Sequence, residues 1–152
     1  MTLTSVKTNA IELVIAADLK GIGAAWIPVE EGAARWSSED DPVGSWRQAL
    51  LVGAMPVRAA VRKNLSTLMA GNGGSCELLL GVFAIGCVSE TRRGRCAGIA
   101  ILPSVELITE GSLSMLCNAS KLDETAIRGF AERDALPPRA ALPAITDLVR
   151  RL

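Results

Sequence analysis

The side chains that could do chemistry in this chain are Asp, Glu, Lys, Arg, Cys and Ser, because its 152 residues include neither histidine nor tyrosine. Without an imidazole there is no Ser-His or Cys-His pair, which removes the commonest hydrolase mechanisms. The lysines, Lys7, Lys20, Lys63 and Lys121, do not stand in an S-x-x-K motif, and the adjacent Ser120 and Lys121 read as a helix start rather than a dyad. Carboxylates cluster at Glu30-Glu31 and Glu39-Asp40-Asp41, where a hard cation or a shared proton is conceivable but a solvated loop is the simpler reading. Cys76, Cys87, Cys96 and Cys117 have no C-x-x-C spacing and no histidine to complete a zinc site, so reduced thiols in a reducing compartment, the cytoplasm or its equivalent, are expected. No metal and no cofactor are expected.

The Gly71-Asn72-Gly73-Gly74 stretch could cradle phosphate only if it followed a strand and opened a helix. It stands in the reverse order, after a helix and before a strand, and reads as a helix C-cap with its connection. Basic residues concentrate at the turn Arg92, Arg93, Gly94, Arg95 and on the helix face of Arg58, Arg62 and Lys63. The turn could clamp a phosphate backbone or a carboxylate-rich partner. Against nucleic acid stand the exact cancellation of 16 basic by 16 acidic residues and the scarcity of aromatic stacking platforms. Trp26, Trp36 and Trp46 flank the acidic loop 37–42, and Trp36 with Trp46 forms a candidate interaction surface, since tryptophan is enriched at binding hot spots.

The elements that would position these residues read as one α+β domain over 1–152, a mostly antiparallel sheet of about five to six strands packed with two to three helices. Hydrophobic residues make up 49% of the chain and charged ones 21%, an apolar balance that suggests a partner surface. Ile11 to Ile15 and Trp26 to Val29 read as strands about the Lys20-Gly21-Ile22-Gly23 turn. Trp46 to Met55 fits either a strand or a helix. Val57, Val61, Leu65, Leu68 and Met69 recur at helical spacing, with Pro56 at the start and Gly71 at the end. Leu78 to Glu90 and Arg95 to Leu102 read as a hairpin. With Glu90 opposite Arg95, Phe83, Ile85, Cys87, Ala100 and Leu102 share one face and Val82, Ala84, Val88, Ile99 and Ile101 the other.

A ribbon apolar on both faces must be covered twice, by helices on one side and by another sheet or subunit on the other. The same register sets Cys87 and Cys96 diagonally, too far apart for an unstrained disulfide. A second hairpin, Val105 to Ile108 with Leu113 to Cys117, is expected next, with Ile108, Leu113, Met115 and Cys117 on one side. Ser120 or Asp123 then caps a helix carrying Ile127, Phe130 and Ala131. Pro143 opens a terminal amphipathic helix with Ile145, Leu148, Val149 and Leu152 on one face, which docks either on the core or on another chain. The longest apolar run, Leu78 to Val88, is well short of the ~20 residues of a membrane-spanning helix, and the N-terminus lacks the pattern of an export leader.

The run Leu50-Leu51-Val52-Gly53-Ala54-Met55-Pro56, the helix ending Leu65 to Asn72, and the later Leu122-Asp123-Glu124 leading into the Phe130 helix resemble the small dimeric chaperones of type III secretion. The likeness covers about a third of the chain; those chaperones begin with a helix and lack the hairpin from 78 to 102. The resemblance implies a non-catalytic protein that binds polypeptides and itself, as the residues also suggest. The functional expectation is therefore a self-associating interaction domain, chaperone-like or a structural subunit such as a viral matrix or shell component. Its partners are itself and another protein, meeting at Phe83, Ile85, Ile99, Ile101 or the terminal helix. The alternative is a small-molecule-binding protein, or an enzyme working through carboxylates or a thiol, with a pocket at Glu77, Glu106 or Cys87.

Overall fold

A computed structural model of the chain describes residues 24–30, 33–34, 46–70, 73–91, 94–109 and 112–150. The strand expected at Ile11 to Ile15 and the acidic loop lie outside these residues. The strands are β1 (Ala25–Glu30), β2 (Ala33–Ala34), β3 (Ser75–Leu79), β4 (Val82–Thr91) and β5 (Gly94–Pro103). They form an antiparallel sheet in the order β2-β1-β5-β4-β3. Pro28 stands inside β1, whose flank toward β2 is paired by only 2 of the described residues. The β4–β5 ladder pairs Glu90 with Arg95 and Phe83 with Leu102, the register that the alternating apolar pattern predicts.

The α+β class therefore holds, while several individual elements and the number of helices differ from expectation. The stretch from Leu78 to Glu90 is two strands rather than one, because the chain turns at Leu80 and Gly81. Gly81 has φ +83, and a Cβ there would run into the Leu107 backbone. The second hairpin is absent. After a turn at Val105, Glu106 to Ile108 and Leu113 to Cys117 fall instead in α2 (Glu106–Thr109) and α3 (Ser112–Ser120), so the helical segments outnumber the two to three expected. The error was one of period: Leu113, Leu116 and Cys117 turn inward at helical spacing while Met115 is 46% exposed, so the alternation of Leu113, Met115 and Cys117 was coincidental.

Helix α1 (Met55–Leu68) runs as its spacing predicts, with Pro at its start and Val57, Val61 and Leu68 buried. It is preceded by a π-helical turn, Gln48–Val52, which settles the ambiguous segment as helical. The Leu68 carbonyl at its end accepts from the Gly74 N–H at 2.9 Å, so the glycine run does close this helix. Helix α4 (Glu124–Arg133) begins after Asp123 and buries Ile127 and Ala131, leaving Phe130 42% exposed. A 3-10 turn, Arg139–Ala141, leads into α5 (Leu142–Arg150).

Both faces of the sheet are apolar, and the chain itself contributes cover to each. On the first face Ile27, Ala84, Ile99 and Ile101 meet Val57, Val61, Leu50, Leu51, Leu113 and Leu116 in the main core. Each of these larger side chains contributes roughly 1.5–3 kcal/mol as an upper figure for its removal from water. On the second face Trp26, Ile85, Ala100 and Leu102 form a smaller cluster with Val149, and Ile145 packs against it. The terminal helix thus docks on its own sheet. Gly98 makes room for this layer, since the Trp26 ring lies where its Cβ would be.

Candidate functional site

The described residues do not fully close the second face. Between α5 and the outer strands β3 and β4 lies a cleft of about 450 Å³. Phe83, half-buried, and Ile85 form its floor; Leu142, Pro143, Thr146 and Asp147 of α5 form one wall, and Ser75 and Glu77 of β3 the opposite lip. The floor is apolar because β4 places Phe83 and Ile85 on the same side of the pleat. The wall stands off the floor because Ile145 and Val149, one helical turn apart, anchor α5 further along the sheet.

The mouth is held by a polar lock built from segments far apart in the chain. The Arg139 guanidinium donates to Glu77 Oε2 from Nη2 at 2.8 Å and from Nε at 3.3 Å, and the same oxygen accepts the Gly81 N–H at 3.1 Å. The Arg139 backbone N–H donates to Glu106 Oε1 at 2.6 Å, and the Val105 N–H to the Pro137 carbonyl at 2.9 Å. These bonds fix the 3-10 turn, and with it the start of α5, to the β3–β4 turn and to the end of β5. The Arg139 N–H holds the Glu106 carboxyl below its ordinary range.

Among the described residues the lip is also an open sheet edge. The Gly86 N–H donates to the Gly74 carbonyl at 2.7 Å, which puts Gly74 and Gly86 at a hydrogen-bonding position of the antiparallel ladder, although the Gly74 N–H itself is turned to Leu68. Such pairs alternate with non-bonded ones, so Cys76 bonds inward to Ala84 while the N–H and C=O of Ser75 and Glu77 face outward. No strand among the described residues pairs that edge. A bulge between Glu77 and Leu79 ends the regular run, confining the usable edge to its first half.

Burial pushes the Cys76 thiol above its ordinary range, away from the nucleophilic thiolate, and the Glu77 carboxylate is engaged by Arg139 and Gly81. Among the described residues no group of His, Cys, Asp and Glu is placed to hold a metal ion.

The residues singled out from sequence scatter about this site. Phe83 and Ile85 line the cleft, but Ile85 is only 1% exposed, and Ile99 and Ile101 are wholly buried in the main core on the opposite face. Trp46 is half-buried: its Nε1–H donates to Asp134 Oδ2 at 2.7 Å, and Arg47 pairs with the same carboxylate at 3.1 Å, tying the π-helical turn to the end of α4. Trp36, Arg92 and Arg93 lie outside the described residues, and Arg95 is placed only as the ladder partner of Glu90. Glu77 and Glu106, named from sequence as pocket groups, are brought together by Arg139. Arg139 and Asp147 themselves had no motif to mark them. Cys87 pairs with Gly98 and Cys96 with Ser89, the diagonal arrangement expected, and the Cys87 thiol donates to the Ile85 carbonyl at 3.8 Å. Among the described residues no helix is long and apolar enough to cross a membrane. No family model matches this chain, and no curated protein or solved structure matches it.

Proposed function

We propose that this chain is a non-catalytic interaction domain that takes an extended polypeptide segment along β3, seating the segment's side chains in the adjoining cleft. The observation that supports this most is the juxtaposition of outward-facing backbone groups at Ser75 and Glu77 with an apolar floor of Phe83 and Ile85. Strand addition draws its affinity from main-chain hydrogen bonds and its specificity from pockets beside alternate side chains, and this lip supplies both. A chaperone-like protein or an assembly subunit would use such a surface in the same way.

The test is amide hydrogen exchange at Ser75 and Glu77 in the presence of a panel of peptides alternating valine and threonine between lysine ends. Slowed exchange at both amides, abolished when alternate peptide nitrogens are methylated, is expected. Unchanged exchange at both amides with every peptide refutes strand addition.

A second reading, a small-molecule site, draws on the size of the cleft, which lies within the roughly 300–1,000 Å³ of ligand pockets. Apolar fragments that shift Phe83, Ile85 and Leu142 resonances without protecting the edge amides would favour it.

A further inference from the structure

We infer that the segment added to β3 is β3 of a second copy of this chain, antiparallel about a two-fold axis at Cys76; this rests on the polypeptide-binding reading above. The hydrogen-bonding phase of the strand selects that axis. With Cys76 opposite Cys76 of the second copy, Ser75 of each copy faces Glu77 of the other. All the outward N–H and C=O groups of these two residues are then satisfied at once.

The neighbouring registers are poorer. Centring on Glu77 sets the two carboxylates face to face, and like charges directly opposite destabilise a ladder. Centring on Ser75 brings Glu77 against Gly73, whose N–H is already donated to the Ala70 carbonyl at 2.9 Å. In the selected register a serine hydroxyl stands beside each carboxylate instead.

The two-fold axis runs perpendicular to the joined sheet, so both α1 layers lie on one side and both clefts on the other, with the two lips meeting at the axis. The Phe83 and Ile85 floors then flank one trough shared by the two copies. On the opposite face the two Cys76 side chains are directly across from one another in a non-hydrogen-bonded pair, whose Cα separation of about 4.5 Å is at the short end of the range that a disulfide spans. The brevity of β3 and its bulge keep this contact small, so the dimer forms with rising concentration rather than as a permanent assembly.

The experiment is light scattering of the full chain in reductant over roughly 10 µM to 1 mM, repeated on Ser75→Glu and Ser75→Lys. Ser75 is exposed, so both variants fold. Dimer formation is expected, weakened about tenfold by Ser75→Glu, which creates two opposed carboxylate pairs, and not weakened by Ser75→Lys, which creates two opposite-charge pairs. Mild oxidation of the dimer followed by peptide mapping should give Cys76 linked to Cys76. A monomer at all concentrations, or a dimer indifferent to Ser75→Glu, overturns the inference. In either case protection of the Ser75 and Glu77 amides by the peptide panel would leave polypeptide binding standing, and its absence would remove both.

Discussion

Replacing Gly98 with alanine tests whether Trp26 packs over the second face of the sheet as described. Three carbons of the Trp26 ring lie inside ordinary contact distance of the added Cβ, Cε2 at 2.7 Å and Cζ2 and Cη2 nearer, where relaxed van der Waals contact begins at 3.4 Å. The ring is 7% exposed, so it cannot retreat without lifting from Ile85, Ala100 and Leu102. Overpacking of this kind costs about 1–3 kcal/mol. Replacing glycine returns about 0.4–1 kcal/mol by restricting the unfolded chain. A net loss of about 1–2 kcal/mol lowers Tm by roughly 2–8 °C for a chain of this length.

The assay is urea and thermal unfolding of the wild type, Gly98→Ala, Trp26→Leu and the double variant. Trp26→Leu opens the space, and it also removes a buried indole N–H that has no hydrogen-bond partner among the described residues. In the double variant the added methyl should be harmless, giving a coupling of about 1 kcal/mol or more. Additivity to within about 0.5 kcal/mol would mean that Trp26 does not lie over Gly98, and the account of this face would fail.

The lock at the cleft mouth should contribute modestly: Arg139→Ala breaks an ion pair whose side chains are 41% and 29% exposed, so a loss of about 0–1 kcal/mol in urea unfolding is expected, and a loss several times larger would contradict a solvent-screened pair. Glu106 and Glu124 are both held below the ordinary carboxyl value of 4.5, by the Arg139 backbone N–H and the Ser114 hydroxyl respectively. Their contribution to stability is therefore complete above that value and is lost as pH falls through the lower folded-state values; Glu106→Gln should flatten the acid limb of a stability-against-pH curve, and an unchanged limb would refute the bond. The Cys76 and Cys117 thiols are both pushed up by burial, so near neutral pH they should react with a disulfide reagent more slowly than in the urea-unfolded chain, and a rate above the unfolded one at either would revive a thiol mechanism.

The readings from sequence that succeeded concerned local periods. Alternation over Val82 to Leu102 set both faces of the β4–β5 hairpin and its register, because a one-residue slip would turn every apolar side chain to the wrong face. Helical spacing from Val57 to Leu68, bounded by Pro56 and Gly71, marked α1. The same logic failed between Val105 and Cys117, where short apolar runs carry too few turns to separate a period of two from one of 3.6. The Trp46 surface was only half legible: the indole is where binding was expected, but Asp134 at the end of α4 holds it. In the cleft, Phe83 and Ile85 could be read as a face, whereas Arg139 and Asp147 could not be recognised as its rim.

Composition and local pattern by themselves thus determined that imidazole chemistry is excluded, that the central hairpin is apolar on two sides, and where the first long helix begins and ends. Each of these depends on residue type or on neighbours a few positions apart. Only the tertiary structure decided what contributes cover to the second face, and that among the described residues this cover leaves an open lip at β3. The reason is physical: the contacts that shape the cleft join residues as distant as Glu77 and Arg139, 62 positions apart, and no local hydrogen-bonding or hydrophobic period encodes which distant helix packs on a given face.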